Sequence, residues 1–215
     1  AVYVNGDFVG YGTDSRLDSE YDVTDHVTPG DNELAVVVVK WSAHSYVEDQ
    51  DQWWMGGLHR QTWVEARADT RLTSITCDAD LHVESGTGHL AVTATVGGYA
   101  PPAEGWTVRC RLETLRGKRL GREQTTPVPH AFHVPYLFTG HDARCTFEVP
   151  NVDAWSAETP TRYRVLIELL DPSGTVTEVH RQLVGFRHAE IVDRDFLVNG
   201  QRVWFFGIHR HDHRP

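Results

Sequence analysis

Three carboxylates, two tryptophans and a Gly-Gly pair fall within sixteen residues, Ser45-Tyr46-Val47-Glu48-Asp49-Gln50-Asp51-Gln52-Trp53-Trp54-Met55-Gly56-Gly57-Leu58-His59-Arg60. A saccharide offers apolar ring faces and a rim of hydroxyls, so it calls for aromatic platforms beside carboxylate acceptors. That is the chemistry this stretch could do. Glu48, Asp49 and Asp51 could equally be turn-capping acids on a solvated loop, and Trp53 and Trp54 could be core residues. A second cluster closes the chain, where His209, His211 and His213 alternate with Arg210, Asp212 and Arg214. On a strand, period two sends all three imidazoles to one face, and neutral imidazole ligates metals. This trio makes a metal-dependent hydrolase one reading, and hydrogen-bonding histidines at a strand end another. The chain contains no Gly-rich phosphate loop, Cys-x-x-Cys pair, His-Glu-x-x-His or Gly-x-Ser-x-Gly, so nucleophilic serine chemistry has no support.

The elements that must position these residues read as strands. Apolar alternation recurs at short spacing between Gly, Pro, Asn and Asp clusters, and no window sustains a 3.6-residue period. Tyr3 to Val9 carries Asn5-Gly6 between apolar residues, a hairpin signal. Leu34 to Trp41 is an unbroken β-branched run, which predicts a strand buried on both faces. Thr62 to Arg67 predicts one more strand closing that unit. A second series follows at Leu72–Cys77, His89–Val96, Trp106–Leu112, Cys145–Val149, Tyr163–Leu170 and Thr175–Phe186, the last two joined by Asp171-Pro172-Ser173-Gly174. Six or seven strands in about 120 residues fit an immunoglobulin-like sandwich. The region from Gly121 to Thr139 holds three prolines and alternates weakly, and reads as a loop-rich strand. Phe196 to Ile208 predicts a second Asn-Gly hairpin, at Asn199-Gly200, leading into an apolar strand that ends in the histidines.

With 215 residues, 40% of them hydrophobic, and seven Trp, seven Tyr and eight Phe, there is ample material for one large or two modest cores. No apolar run nears the roughly 20 residues that span a membrane, and the first residues read as a strand rather than a signal peptide. A net charge of −10 without a basic stripe argues against nucleic-acid binding. Three cysteines, Cys77, Cys110 and Cys145, are too few for a disulfide scaffold and suit a reducing, cytoplasmic setting. Alternation turns Cys110 and Cys145 inward as buried thiols, with a bridge between them as the alternative.

Five blocks go beyond spacing: Gly10 to Leu17, Glu48 to Trp53, Asn151-Val152-Asp153-Ala154-Trp155-Ser156-Ala157-Glu158, Val184-Gly185-Phe186-Arg187, and Val198-Asn199-Gly200 through Gly207 to His213. In this order the chain resembles the early-to-middle part of family 2 glycoside hydrolases, most closely the large bacterial β-galactosidases. The resemblance implies an all-β arrangement in three parts. Residues 1–67 correspond to the later part of a jelly-roll sugar-binding domain, 68–188 to an immunoglobulin-like β-sandwich, and 189–215 to the hairpin and first strand of a truncated catalytic (β/α)8 barrel. It further implies that Asp51 contacts galactose hydroxyls and helps ligate sodium, and that His211 contacts galactose as the transition state forms. His209 stands where relatives carry asparagine. Retaining glycosidases work with two carboxyl groups about 5 Å apart. In this family both are glutamates on later barrel strands, so the resemblance places both, and the magnesium site near them, beyond Pro215. No catalytic residue is therefore expected within these residues. The chain by itself is expected to be inactive, to bind neither Mg2+ nor Na+ fully, and to associate through exposed apolar edges. Its parent is expected to be a homo-oligomer acting on a β-galactoside such as lactose. A β-glucuronidase or β-mannosidase, and a non-catalytic carbohydrate-binding module, are the alternatives.

Overall fold

A computed structural model of the chain describes residues 1–14, 17–47, 56–58, 60–130 and 140–209. Among these described residues, thirteen strands and two short 3-10 turns, Thr24–His26 and Ala43–Tyr46, make up the regular structure. The protein is all-β, with open sheets. It divides into two compact units, one of Ala1–Glu65 together with the residues from Gly207 on, the other of Ala66–Phe206.

The first unit contains one antiparallel sheet of β1 (Val2–Val4), β2 (Asp7–Gly10) and β3 (Leu34–Val36), in the order β2-β1-β3. Val4 pairs with Asp7, and Asn5 and Gly6 take φ of 53° and 87°, the twist-compatible turn an Asn-Gly pair favours. The Asn5 carboxamide donates to His26 O and Asn32 Oδ1 and accepts from the Glu33 amide, so one turn side chain ties three segments. The run from Leu34 to Trp41 does not form the long buried strand that its composition predicts. The ladder ends level with the start of β1: the Ala1 ammonium donates to Val37 O at 2.8 Å and Val37 N–H to Ala1 O at 2.9 Å. Beyond that point Val38, Val39 and Trp41 lie in no strand, and all are exposed. The strand expected over Thr62–Arg67 is also absent, and Trp63 and Val64 face solvent.

The second unit is a sandwich of seven antiparallel strands. One sheet is β4 (Arg71–His82), β5 (Thr87–Gly97) and β8 (Asp142–Val149), in the order β4-β5-β8. The other is β10 (Val176–Val184), β9 (Tyr163–Leu170), β6 (Thr107–Thr114) and β7 (Arg119–Pro127), in the order β10-β9-β6-β7. Strict alternation builds the core: Leu90, Val92, Ala94 and Val96 of β5 face Val108, Cys110 and Leu112 of β6 and Val165, Ile167 and Leu169 of β9. The proline-rich stretch yields a real strand, β7, which ends at Pro127, and Val128 is buried just after it. On the outer face of β6, Arg109 and Arg111 clamp the buried Glu168 at 2.6 and 2.9 Å. At the β9–β10 turn, the Asp171 carboxylate accepts from the Ser173 and Thr175 amides, each at 2.9 Å.

Three further strands complete this unit: β11 (Ala189–Val192), β12 (Asp195–Val198) and β13 (Gln201–Arg202), in the order β11-β12-β13. The Asn199-Gly200 turn has φ of 53° and 73°. The apolar strand expected after it does not form among the described residues. Trp204, Phe205, Phe206 and Ile208 are exposed and outside any sheet, because an extended segment without a neighbour has nothing to bond its backbone to. The first strand of a barrel is therefore not visible.

Candidate functional site

Asp51, His211 and the companions expected beside them, Glu48, Asp49, Trp53, Trp54 and His213, lie outside the described residues. What frames the acidic stretch can be described. Ser42 caps the 3-10 turn Ala43–Tyr46 through a reciprocal pair, its side chain receiving the Ser45 amide while Ser45 Oγ accepts the Ser42 amide at 3.0 Å. Ser45 Oγ also donates to Lys40 O at 3.2 Å. Gly56 returns to the same place, since a Cβ there would stand 3.6 Å from Lys40 Cβ. Tyr46 and Val47, at the near flank, are exposed. His209 is exposed as well. Among the described residues no three His, Cys, Asp or Glu side chains are grouped to hold a metal.

Two concavities lie among the described residues of the sandwich unit. A groove of about 320 Å3 is lined by Ile75, Cys77, Trp155, Arg162, Arg187 and Gln182, without any acid. Its indole is already covered, for the Arg187 guanidinium lies 4.7 Å from the Trp155 ring centroid. A second hollow of about 280 Å3 gathers Asp80, His82, Glu84, His89, His188 and Glu190. There His188 Nδ1 meets Asp80 Oδ1 at 2.9 Å and Nε2 lies 3.8 Å from Glu190. The hydrogen bond to the Asp80 carboxylate holds the His188 imidazole above its ordinary value. Burial pushes the Asp80 carboxyl up, but the bonds from His188 and the Leu81 amide, with the nearby His188 and His89, together outweigh it and the net shift is downward. His188 thus links two of the acids that line this hollow, Asp80 and Glu190.

Three of the five sequence blocks meet around Trp155, and their geometry shows a structural clasp. Trp155 N–H donates to Phe186 O at 2.8 Å, and Gly185 is bare because a Cβ would come within 2.9 Å of the indole. Asn199 Oδ1 accepts the His188 amide and its Nδ2 donates to Trp155 O, both at 3.0 Å. Phe186 is fully buried, edge-on to Tyr163 at 5.2 Å and against Gly88, where a Cβ would stand 2.7 Å from its ring. Tyr163 Oη in turn accepts the Asp153 amide at 2.8 Å. The spacing of Trp155, Gly185 and Asn199 gave no sign of this, because a signature block looks alike whether it touches substrate or braces a fold.

Comparison with known proteins gives a consistent family. The profile described as "Glycosyl hydrolases family 2, sugar binding domain" matches residues 1–67, and that described as "Glycosyl hydrolases family 2" matches residues 70–187. A protein named beta-galactosidase from Vibrio vulnificus (strain YJ016) is 33% identical over 215 residues, covering 100% of this chain and 20% of its own length. A beta-galactosidase from Pectobacterium atrosepticum is 36% identical over 217 residues, with the same coverage. The chain thus spans about a fifth of the length of these relatives. Among solved structures, a family 2 member from Bacteroides cellulosilyticus DSM 14838 superposes with a TM-score of 0.71 at 18% identity, over 94% of this chain and 26% of its own. The beta-glucuronidase of Bifidobacterium dentium, complexed with coumarin-3-O-glucuronide, gives 0.71 at 20% identity, over 95% and 37%. At these identities the likeness is one of fold.

Proposed function

The chain belongs to glycosyl hydrolase family 2, and from that premise we propose that it is a segment of a retaining β-galactosidase. The observation that carries this reading is sequence similarity, at 30–36% identity along the whole chain, to proteins named beta-galactosidase. In the proposal residues 1–67 are the later part of a sugar-binding jelly roll, 68–188 an immunoglobulin-like domain, and 189–215 the start of a catalytic barrel. Asp51 orients the sugar through its hydroxyls and contributes to a sodium site, and His211 contacts galactose as charge develops at the anomeric carbon. The general acid/base and the nucleophile are glutamates beyond Pro215, with magnesium near the acid/base. Sodium, when bound, neutralises charge beside the sugar, and no step is routed through it. The acidic Asp49 and Asp51 would repel a uronic acid, which favours a neutral galactoside over a glucuronide. A homo-oligomeric, cytoplasmic parent is part of the same reading, and three unbridged thiols suit a reducing compartment.

The test is hydrolysis of chromogenic β-galactoside and β-glucuronide by the full-length parent and by the 215-residue chain, normalised to sites labelled by a mechanism-based inactivator. The parent is expected to turn over the galactoside with retention, and the chain neither substrate. Asp51→Asn in the parent is expected to lower kcat/KM on the order of 100-fold. Preference of the parent for the glucuronide would overturn the substrate assignment. Stoichiometric turnover by the chain would place the carboxylates within it and overturn the partition.

A further inference from the structure

The sandwich core holds a nucleophile pair that sugar hydrolysis has no use for. Cys110 on β6 and Cys145 on β8 belong to opposite sheets, are 0% and 2% exposed, and sit in one apolar cluster. Pairing register places them together. Cys110 lies directly opposite Gln124 in the β6–β7 ladder, and the Gln124 carbonyl oxygen is 4.0 Å from Cys145 Sγ. Thr126 Oγ1, two residues along β7, is 3.4 Å from the same sulfur and donates to Arg144 O at 2.9 Å. β8 runs within 8 Å of both β6 and β7 at the Cα level. Each thiol is the main influence on the other. The contact with Cys145 keeps the proton on Cys110, while the contact with Cys110, aided by Thr126 and against the effect of burial, draws the Cys145 thiol below its ordinary value. Cys77 differs: burial, with Asp78 adding to it, pushes its thiol up to about 11, and it lines the open groove.

We propose that Cys110 and Cys145 are an oxidation site, a thiol pair that a peroxide converts into a disulfide bolting the two sheets together. Cys145, as thiolate, attacks one peroxide oxygen; an S–O bond forms, the O–O bond breaks, and the departing hydroxide takes up a proton to leave as water. The Cys110 sulfur then attacks the Cys145 sulfenic acid; the S–S bond forms, the S–O bond breaks, and the second water carries off the Cys110 proton. Two thiols lose two electrons and two protons, and one peroxide becomes two waters. Both sulfurs are buried, so in this proposal peroxide enters when the seam between β7 and β8, which belong to different sheets and share no ladder, parts transiently.

The experiment is to treat the folded 215-residue chain with hydrogen peroxide, quench with an alkylating reagent under denaturing conditions, and map the peptides. The expected result is a fall from three free thiols to one, a mass loss of about 2 Da, and a linked peptide pair containing Cys110 and Cys145. A rise of roughly 5–10 °C in melting temperature, reversed by a dithiol reductant, should accompany it. Cys77→Ser should leave all of this unchanged. Cys145→Ser should abolish the link, as should Cys110→Val, which keeps an apolar core side chain if the serine variant of Cys110 does not fold. Retention of three thiols in peroxide would overturn the proposal. So would bridging that appears only in denaturant, a sulfinic acid on Cys145 without a link, or a dimer joined through Cys77.

Discussion

Val108, Val165 and Ile167 in the sandwich are fully buried, whereas Val37, Val38 and Val39 in the first unit are 51, 46 and 64% exposed. The residue types are the same, and in both places they follow a strand signal. What differs is the supply of neighbours. Each inward side chain of β6 and β9 meets a facing sheet, and a second layer is what converts β-branched residues into a core. β3 has β1 on one side only, and the described residues of its unit present no facing sheet to its apolar face. Composition states what a strand wants; topology decides whether it receives it.

The largest test of this contrast is Phe186→Ala. It removes a ring packed on Tyr163 and Gly88, leaves a cavity in a dense core, and should cost about 3–5 kcal/mol in urea or thermal unfolding of the chain. A loss below 1 kcal/mol would mean that the sandwich is no better packed than the first unit.

Glu178→Gln sharpens the comparison at one edge. The Glu178 carboxylate accepts from Arg67 Nη2 at 2.8 Å and the Leu72 amide at 2.7 Å, fastening β10 to the start of β4. Partial burial pushes this carboxyl up, but the bonds from Arg67, Leu72 and His180 outweigh it and the net shift is downward. A lowered native value means that the stabilisation is present above the unfolded value of about 4.3 and is lost as pH falls through the native one. The variant is expected to lose about 1–2 kcal/mol at neutral pH, and the difference from the parent sequence should shrink below pH 4. A pH-independent difference would remove the carboxylate from the explanation.

The smallest effect is expected at Val39→Ala, within about 0.5 kcal/mol, because the side chain is more exposed than buried. A loss above 2 kcal/mol in the same melt would show that the valine run is covered in solution.

The sandwich was legible because alternation, turn residues and β-branched strands agree from Leu72 to Phe186. Tyr163–Leu170 is a strand with the bounds its sequence implies, and Asn5-Gly6, Asp171 to Gly174 and Asn199-Gly200 all turn. Two predictions failed for one reason. Leu34–Trp41 and Val203–Ile208 are apolar enough for buried strands, yet pairing needs a neighbour, and hydropathy carries no information about one. The Gly121–Thr139 region reads as a loop-rich strand, and its described part holds one, β7, which starts at Arg119 and ends at Pro127. The acidic-Trp stretch and the terminal histidines were legible as chemistry, but Asp51 and His211 lie outside the described residues. The clasp around Trp155 was not legible, since neither register nor cation–π stacking shows in residue order.

The two Asn-Gly hairpins bear on how this protein ages. Asn-Gly is the dipeptide in which the following amide nitrogen most readily attacks the side-chain carboxamide, expelling ammonia and leaving aspartate or isoaspartate; asparagine is accordingly among the thermolabile residues. Here both carboxamides are tethered, Asn5 to His26, Asn32 and Glu33, and Asn199 to His188 and Trp155. Attack requires the side chain to swing free of those bonds, so native structure should act as the preservative. Peptide mapping after prolonged warm incubation should find isoaspartate at both sites accumulating several-fold more slowly in the folded chain than in urea. Equal rates would show that the tethers do not protect. A protein protected in this way keeps its chemical clock stopped for as long as its hairpins stay closed.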